Sequence, residues 1–358
     1  RTGTLEAPAI MSVKKTSGVL VAYRRQQLRK LWLLLFLIFL IVATILIDLT
    51  IGPADIGISD VVETLLWPAQ SNSLDVAVIW QLRVPQSLMA LTVGAALGIA
   101  GAEMQTVLDN PLASPFTLGV SSAAALGAAL ALSFNLTIPG LPAEIGLVGS
   151  AMAVALACTA LLDRVASRQG ANANNIVLFG IALIFSFNAL LALMQYLVSA
   201  SSLQLLIFWM MGSLARSNMT GVAVVSVGLL GVLFLAMRQA WQLTALRYGD
   251  ERARTLGVDT HALRRRSLFR VGILTAVSVS LTGVIGFIGL VAPHIARRLV
   301  GEDHRWFLPT SALTGALLLI SASGLSKMLV TDTLLPVGIV TTFVGVPVFA
   351  WIVLRKQS

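Results

Sequence analysis

Few side chains in this protein could do chemistry, and their spacing argues against catalysis. The three histidines, His261, His294 and His304, stand apart without the spacing of a metal-ligand set. His294 follows Pro293 and precedes Arg297 and Arg298, where a neighbouring helix usually satisfies the imidazole. The single cysteine, Cys158, lies in an apolar run; it excludes an intrachain disulfide and reads as a buried thiol packing like a small hydrophobe. The methionines, Met210 and Met211 among them, are scattered like gap-fillers rather than laid out as a metal path. No G-x-x-x-x-G-K-S/T phosphate loop occurs, so the chain is not expected to bind ATP in the usual way. The expectation is a non-enzyme with no catalytic residues, no metal site and no cofactor.

One ionisable group stands out. Glu103 lies within an apolar run, near its polar end. An acid at membrane depth marks a functional site; the alternative is that it reaches the interface beside Asp109. An ion-coupled secondary transporter would need intramembrane acids in paired positions, and Glu103 alone does not provide them.

The elements that must hold these groups follow from composition. Hydrophobic residues make up 57% of the 358, charged residues only 11%, and the mean hydropathy is +0.88. Soluble domains carry about 25% charged residues, so this chain cannot cover itself with a polar surface. It reads as an all-α, polytopic membrane protein embedded in a lipid bilayer. The formal charge of +9 does not point to nucleic acid, because the basic residues sit in short clusters between apolar runs, as the positive-inside rule produces.

Residues 1–30 read as a polar, basic cytoplasmic segment, mobile at its far N-terminus and without a cleavable signal, and 31–354 as one transmembrane domain. Spans are predicted at about 31–50, 84–107, 118–135, 144–162, 175–198, 219–237, 307–326 and 334–354. The acidic loop 51–82, the turn from Pro139 through Leu141 to Pro142, and a segment with Trp209, Gly212 and Arg216 read as external; the charged loop 238–270 reads as cytoplasmic. The apolar run 271–296 is ambiguous by length: one helix would measure roughly 39 Å against a core of about 30 Å. Charge decides for two short spans, which bring Arg297, Arg298, Arg305 and the C-terminal Arg355 and Lys356 inside. That makes about ten spans with both termini cytoplasmic. Of the 25 Lys and Arg, only Arg83, Arg216 and Lys327 then face out.

Three stretches carry organisation beyond hydropathy. In the corner 109–115, Pro111 and Pro115 forbid a continuous helix, and irregular backbone there must be buried in protein or line a watery cavity. Gly94, Gly98 and Gly101, and Gly127 with its alanines, give spans two and three small faces for close packing inside a bundle. In the loop 247–266, Leu256 and Gly257 end one short helix and Asp259 or Thr260 can cap a second. Two capped helices are more structure than a connector needs, so the loop reads as a docking surface for a soluble partner.

Several blocks in order carry a resemblance from about residue 80 to the C-terminus. They are RVPQ…LTVGAALGIAGAEMQ…NPLASPFTLGVSSAAALGAA from Arg83, FWMMGS at 208–213, YGDERARTLGV at 248–258, GVIGFIGLVAPHIARRLVGEDHR at 283–305 and LPVGIVTTFVGVPVFAWIV at 335–353. The chain resembles the FecCD-type, BtuC-like permease subunits of bacterial importers for ferric siderophores, haem and cobalamin. The resemblance implies ten spans, a cytoplasmic (inner) membrane location, and pairing with a second permease as homo- or heterodimer around a central path. It implies two cytoplasmic ATPase subunits that hydrolyse ATP, each docked on one permease through Asp250, Glu251, Arg252, Arg254, Leu256 and Gly257. It implies an extracytoplasmic substrate-binding protein whose acids meet Arg83 and Lys327; Gln86 stands where the family often has a second Arg. It implies a gate at Asn110, Leu112, Ala173 and Asn174, and ferric siderophore as the expected cargo, with haem or cobalamin as the alternative.

Overall fold

Every fourth residue is small through Ala90, Gly94, Gly98 and Ala102, and the fold is built around the face they make. The computed structural model describes residues 7–52, 54, 56–137, 139–140, 142–168, 173–329 and 335–355. Among them the helices are α1 (Ala7–Thr50), α2 (Ile58–Leu66), α3 (Ser73–Val76), α4 (Val84–Val107), α5 (Val120–Ser133), α6 (Ala143–Ala166), α7 (Ala173–Leu197) and α8 (Ala200–Met210). There follow α9 (Met219–Arg238), α10 (Ala240–Leu246), α11 (Asp250–Thr255), α12 (Thr260–Thr282), α13 (Ile288–Val300), α14 (His304–Met328) and α15 (Val337–Arg355). A π-helical stretch, Ala77–Arg83, runs α3 into α4. No strand occurs among the described residues.

Among the described residues, six segments are long and apolar enough to cross a membrane: Tyr23–Thr50, Ser73–Val107, Glu144–Ala166, Ala173–Leu197, Met219–Arg238 and His304–Met328. Helices α5, α12, α13 and α15 lie where the other four crossings were expected. The 271–296 run does divide, at residues 283–287. Gly283 takes φ +73 to end α12 and Phe287, a non-glycine residue, takes φ +65 to start α13.

Helix α4 is the axis, buried along nearly its whole length. A Cβ on Gly94 would lie 2.4 Å from the Gly315 carbonyl oxygen and one on Gly98 2.2 Å from that of Ser311, so α14 crosses at backbone contact. One on Gly101 would meet Gly289 O at 1.7 Å, which seats α13. Close approach of this kind supplies the dispersion that holds helices together where lipid removes the hydrophobic drive. The small face of α5 works the same way: a Cβ on Gly127 would lie 2.5 Å from Ser150 O of α6.

Three boundaries differ from expectation. Residues 7–30, expected as a polar segment ahead of the first span, are the first half of α1, which runs unbroken to Thr50. The expected loop 238–270 holds α10, α11 and the first half of α12, which starts at Thr260 rather than near 271 since Asp259 accepts from Ala262 N and caps it there. The segment around Trp209, expected to be external, is helix α8, with Trp209 buried. Residues 1–6, Leu141, the first residue of the 334–354 span and Lys356 lie outside the described residues.

Candidate functional site

At the end of α4, the Asp109–Pro115 corner forms as its prolines dictate. Asp109 takes a left-handed φ of +44, the Asn110 side chain accepts from Leu112 N at 2.9 Å as an Asx turn, and Ser114 opens a short 3₁₀ turn, Pro115–Leu118. Leu118 then packs so tightly under α7 that a Cβ on Gly180 would lie 2.5 Å from its Cδ2.

Two cavities flank this corner. The first, about 330 Å³, is polar; its walls include Thr106, Asp109, Ala173, Asn174, Gly249, Asp250 and Arg264. It brings together two of the expected gate residues, Ala173 and Asn174, with the expected coupling residue Asp250. Asn110 and Leu112 belong to the corner itself but not to that wall; Leu112 is 39% exposed. The second cavity, about 880 Å³, runs from Ser114, Phe116 and Thr117 past Met210, Met211 and Phe287 to Phe343 and Phe349. Among the described residues its wall holds no charged side chain. Phe287 holds its strained backbone with its ring on α15, where a Cβ on Gly345 would lie 2.5 Å from it.

The turn around α11 has the expected form. Gly257 takes φ +82 and donates to Arg254 O at 2.9 Å, while Val258 N reaches Ala253 O at 3.0 Å, with Ala253 and Val258 both buried. This is a Schellman stop with its apolar contact. It leaves Leu256 56% exposed and Gly257 with nothing within 4 Å of an added Cβ. Glu251, Arg252 and Arg254 are exposed around them, and Arg254 donates to Thr260 Oγ1 at 3.2 Å.

Behind the turn lies a buried charged lattice, where the sequence showed only a docking loop and a lone acid. Arg264 is 6% exposed; it donates to Val107 O at 2.8 Å and to the Asp250 carboxylate at 3.1 and 3.2 Å. Arg270 is buried too, donating to both Glu103 oxygens at 2.5–3.0 Å, to Gln239 at 2.7 Å and to Ser267 at 2.9 Å. Glu103 therefore neither reaches the interface nor stands alone. The pair was missed because 167 residues separate its members. At the rim, Arg247 grips Glu302 through two bonds of 2.9 and 2.8 Å and Asp109 through a third of 2.9 Å. The Arg247 hydrogen bonds, ahead of any cost of burial, hold the Glu302 carboxyl below the usual carboxylate range. His304 spans Thr106 and Thr244 at 2.8 and 3.2 Å, a structural tie among α4, α10 and α14.

At the opposite pole, Arg83 and Lys327, expected to meet a partner's acids, have buried side chains. Arg83 donates to the carbonyls of Leu49 and Ala54 at 2.6 and 2.5 Å, so it caps a carbonyl in the last turn of α1 and ties the segment after it. Lys327 pairs with Asp48 at 2.8 Å, and Ser87 donates to the same carboxylate. Gln86 sits beside them, 8% exposed. Arg216, close by along the chain from Leu214 and Ala215, is exposed.

Comparison with known proteins follows the same blocks. The family model for the FecCD transport family matches residues 39–355. The chain is 36% identical over 314 residues to the hemin transport system permease protein HmuU of Yersinia pestis, covering 88% of this chain and 94% of that one. It is 36% identical over 287 residues to the vitamin B12 import system permease protein BtuC of Vibrio cholerae, covering 80% and 86%. Among solved structures, a chain of a transporter described as of the metal-chelate ABC type, in an inward-facing conformation, superposes with a TM-score of 0.79 at 31% identity, covering 90% of this chain and 99% of that one. With its all-α, BtuC-like fold and a family match over most of its length, the chain belongs to the FecCD transport family.

Proposed function

We propose that the chain is the permease subunit of an ATP-driven importer of metal chelates in a bacterial cytoplasmic membrane. It carries no hydrolytic chemistry of its own and works with a second permease, two ATPase subunits and an extracytoplasmic binding protein. The observation that carries this reading is the exposed Leu256–Gly257 apex with charge around it, set against a polar cavity that also holds Ala173 and Asn174. A small apolar anchor inside a charged rim suits a rigid docking contact, because the anchor excludes water while the rim sets register. In this reading the α11 pole faces the cytoplasm, the Arg83 pole faces outward, and the corner with Asn110, Leu112, Ala173 and Asn174 gates the path.

The binding protein docks at the Arg83 pole. Arg83 and Lys327 shape that surface from beneath, and Arg216 offers exposed charge. The cargo is a ferric siderophore on the family resemblance. Haem is the second reading, favoured by the uncharged cavity wall of Phe and Met side chains and by the likeness to a hemin permease.

The deciding experiment is capture of the ATPase with Gly257→Val, which should insert and pair normally but lose both the ATPase and uptake. Full retention with normal uptake would reduce the turn to a connector. Uptake of labelled ferric siderophores, haemin and cobalamin by the intact complex assigns the cargo. A reporter fused after Arg298 should read as cytoplasmic; external activity there would reverse the proposed orientation.

A further inference from the structure

Arg264 and Arg270 both belong to α12, and both reach across to α4. Arg264 holds the carbonyl of Val107, two residues before the corner begins at Asp109. Arg270 holds Glu103, one turn further into the bundle. At its start α12 adjoins the α11 turn, and Arg264 is also tied to Asp250, the first residue of α11. At its far end Gly283 leads into the 284–287 segment, where Val284, Gly286 and Phe287 line the apolar cavity. One helix thus joins the α11 turn to the end of α4 just before the corner and leads into the cavity wall.

The contacts at its polar end are ill suited to simple stabilisation. A buried ion pair adds little that well-packed apolar side chains of similar volume would not. What it does add is geometry: two-pronged guanidinium–carboxylate bonds fix distance and angle together. Apolar ridges on neighbouring helices can slide past one another by an ångström or two. A helix pair pinned by two arginines cannot. Neither Glu103 nor Arg270 lines either cavity, so the pair does not sit on the path beside them.

We propose that Arg264 and the Arg270–Glu103 pair act as positioning residues that lock α12 to α4 in one register. Displacement of the α11 turn is then delivered to the 109–114 corner as a rigid movement. The inference rests on the ATPase-coupled reading above.

The test uses the permease complexed with its ATPase, with spin labels at Leu112→Cys in the corner and Leu178→Cys on the outer face of α7. Both positions are exposed, whereas Cys158 is buried. In the otherwise unmodified chain, ATP should change the label–label distance. Glu103→Gln and Arg264→Gln should abolish that change while the ATPase stays bound. Should a single variant fail to fold, the double variant Glu103→Leu/Arg270→Leu removes both charges at similar volume and keeps the test intact. It should fold, bind the ATPase and hydrolyse ATP, yet show no distance change. An unaltered change in that double variant overturns the register lock, as does loss of ATPase binding, since the lock transmits docking and does not create it. Absence of any ATP response in the parent overturns the importer reading itself, and the lock with it.

Discussion

Two cavities meet at the 109–118 corner, and they are built on opposite principles. The polar one is walled by Asp109, Asp250 and Arg264, whose charges are held in place by hydrogen bonds from several helices. The apolar one is more than twice as large, at about 880 against 330 Å³, and is walled by rings and thioethers. Charge-assisted bonds in a low dielectric fix angles and distances. Phe and Met side chains adapt to a passing shape and hold none in register. The difference separates tasks: one side of the corner suits transmission of movement, the other suits passage of a bulky cargo.

The largest effect should come from breaking the buried lattice. Glu103→Ala strands Arg270 without its partner, which should lower stability by about 3–5 kcal/mol. Phe343→Ala, on the open wall of the apolar cavity and 82% exposed, should change it by less than about 0.5 kcal/mol. Thermal unfolding of the solubilised protein measures both, and equal losses would erase the contrast. Next comes Gly257→Val, where a β-branched residue forced into a left-handed backbone costs about 1–2 kcal/mol of local strain. Gly140, at φ +83 with open space around it, carries the same strain elsewhere. Only the Gly257 variant should release the ATPase in a pull-down, so release by Gly140→Val as well would mean that strain alone is responsible.

A charge placed in the apolar cavity sharpens the contrast from the other side. Phe343→Asp should reduce uptake of the transported chelate while ATPase binding holds, since its carboxylate sits in a wall otherwise free of charge. Unchanged uptake would remove that cavity from the path.

The smallest effect concerns pH. Glu302 has a depressed carboxyl in the folded state, so its contribution is present above the usual carboxylate range and is lost as pH falls through its lowered value. Because Glu302 is 41% exposed, solvent screening limits the effect to less than about 1 kcal/mol. Unfolding temperatures at pH 7 and pH 4 should show this small drop, and Glu302→Gln should flatten it.

Much of this protein was determined by local sequence. Hydropathy set the membrane class, because a chain with 11% charge has no soluble alternative. Pro111 and Pro115 set the corner, since neither can continue a helix. Gly257 and Asp259 set the end of α11 and the start of α12 through backbone conformation and capping, which act within a few residues. Small residues four apart announced that α4 would be interior. Each of these signals is short-range, so each could be read in order along the chain.

What the tertiary structure decided is which charges meet. Arg270 looked like the edge of a basic loop and Glu103 like a lone acid until α12 was laid against α4. Arg83 and Lys327 looked free for a partner until Asp48 and the carbonyls of Leu49 and Ala54 came within reach. Ionisable side chains in a membrane bundle are satisfied by whatever the packing brings near, often more than a hundred residues away. The need for a partner is a property of the residue; the identity of that partner is a property of the fold.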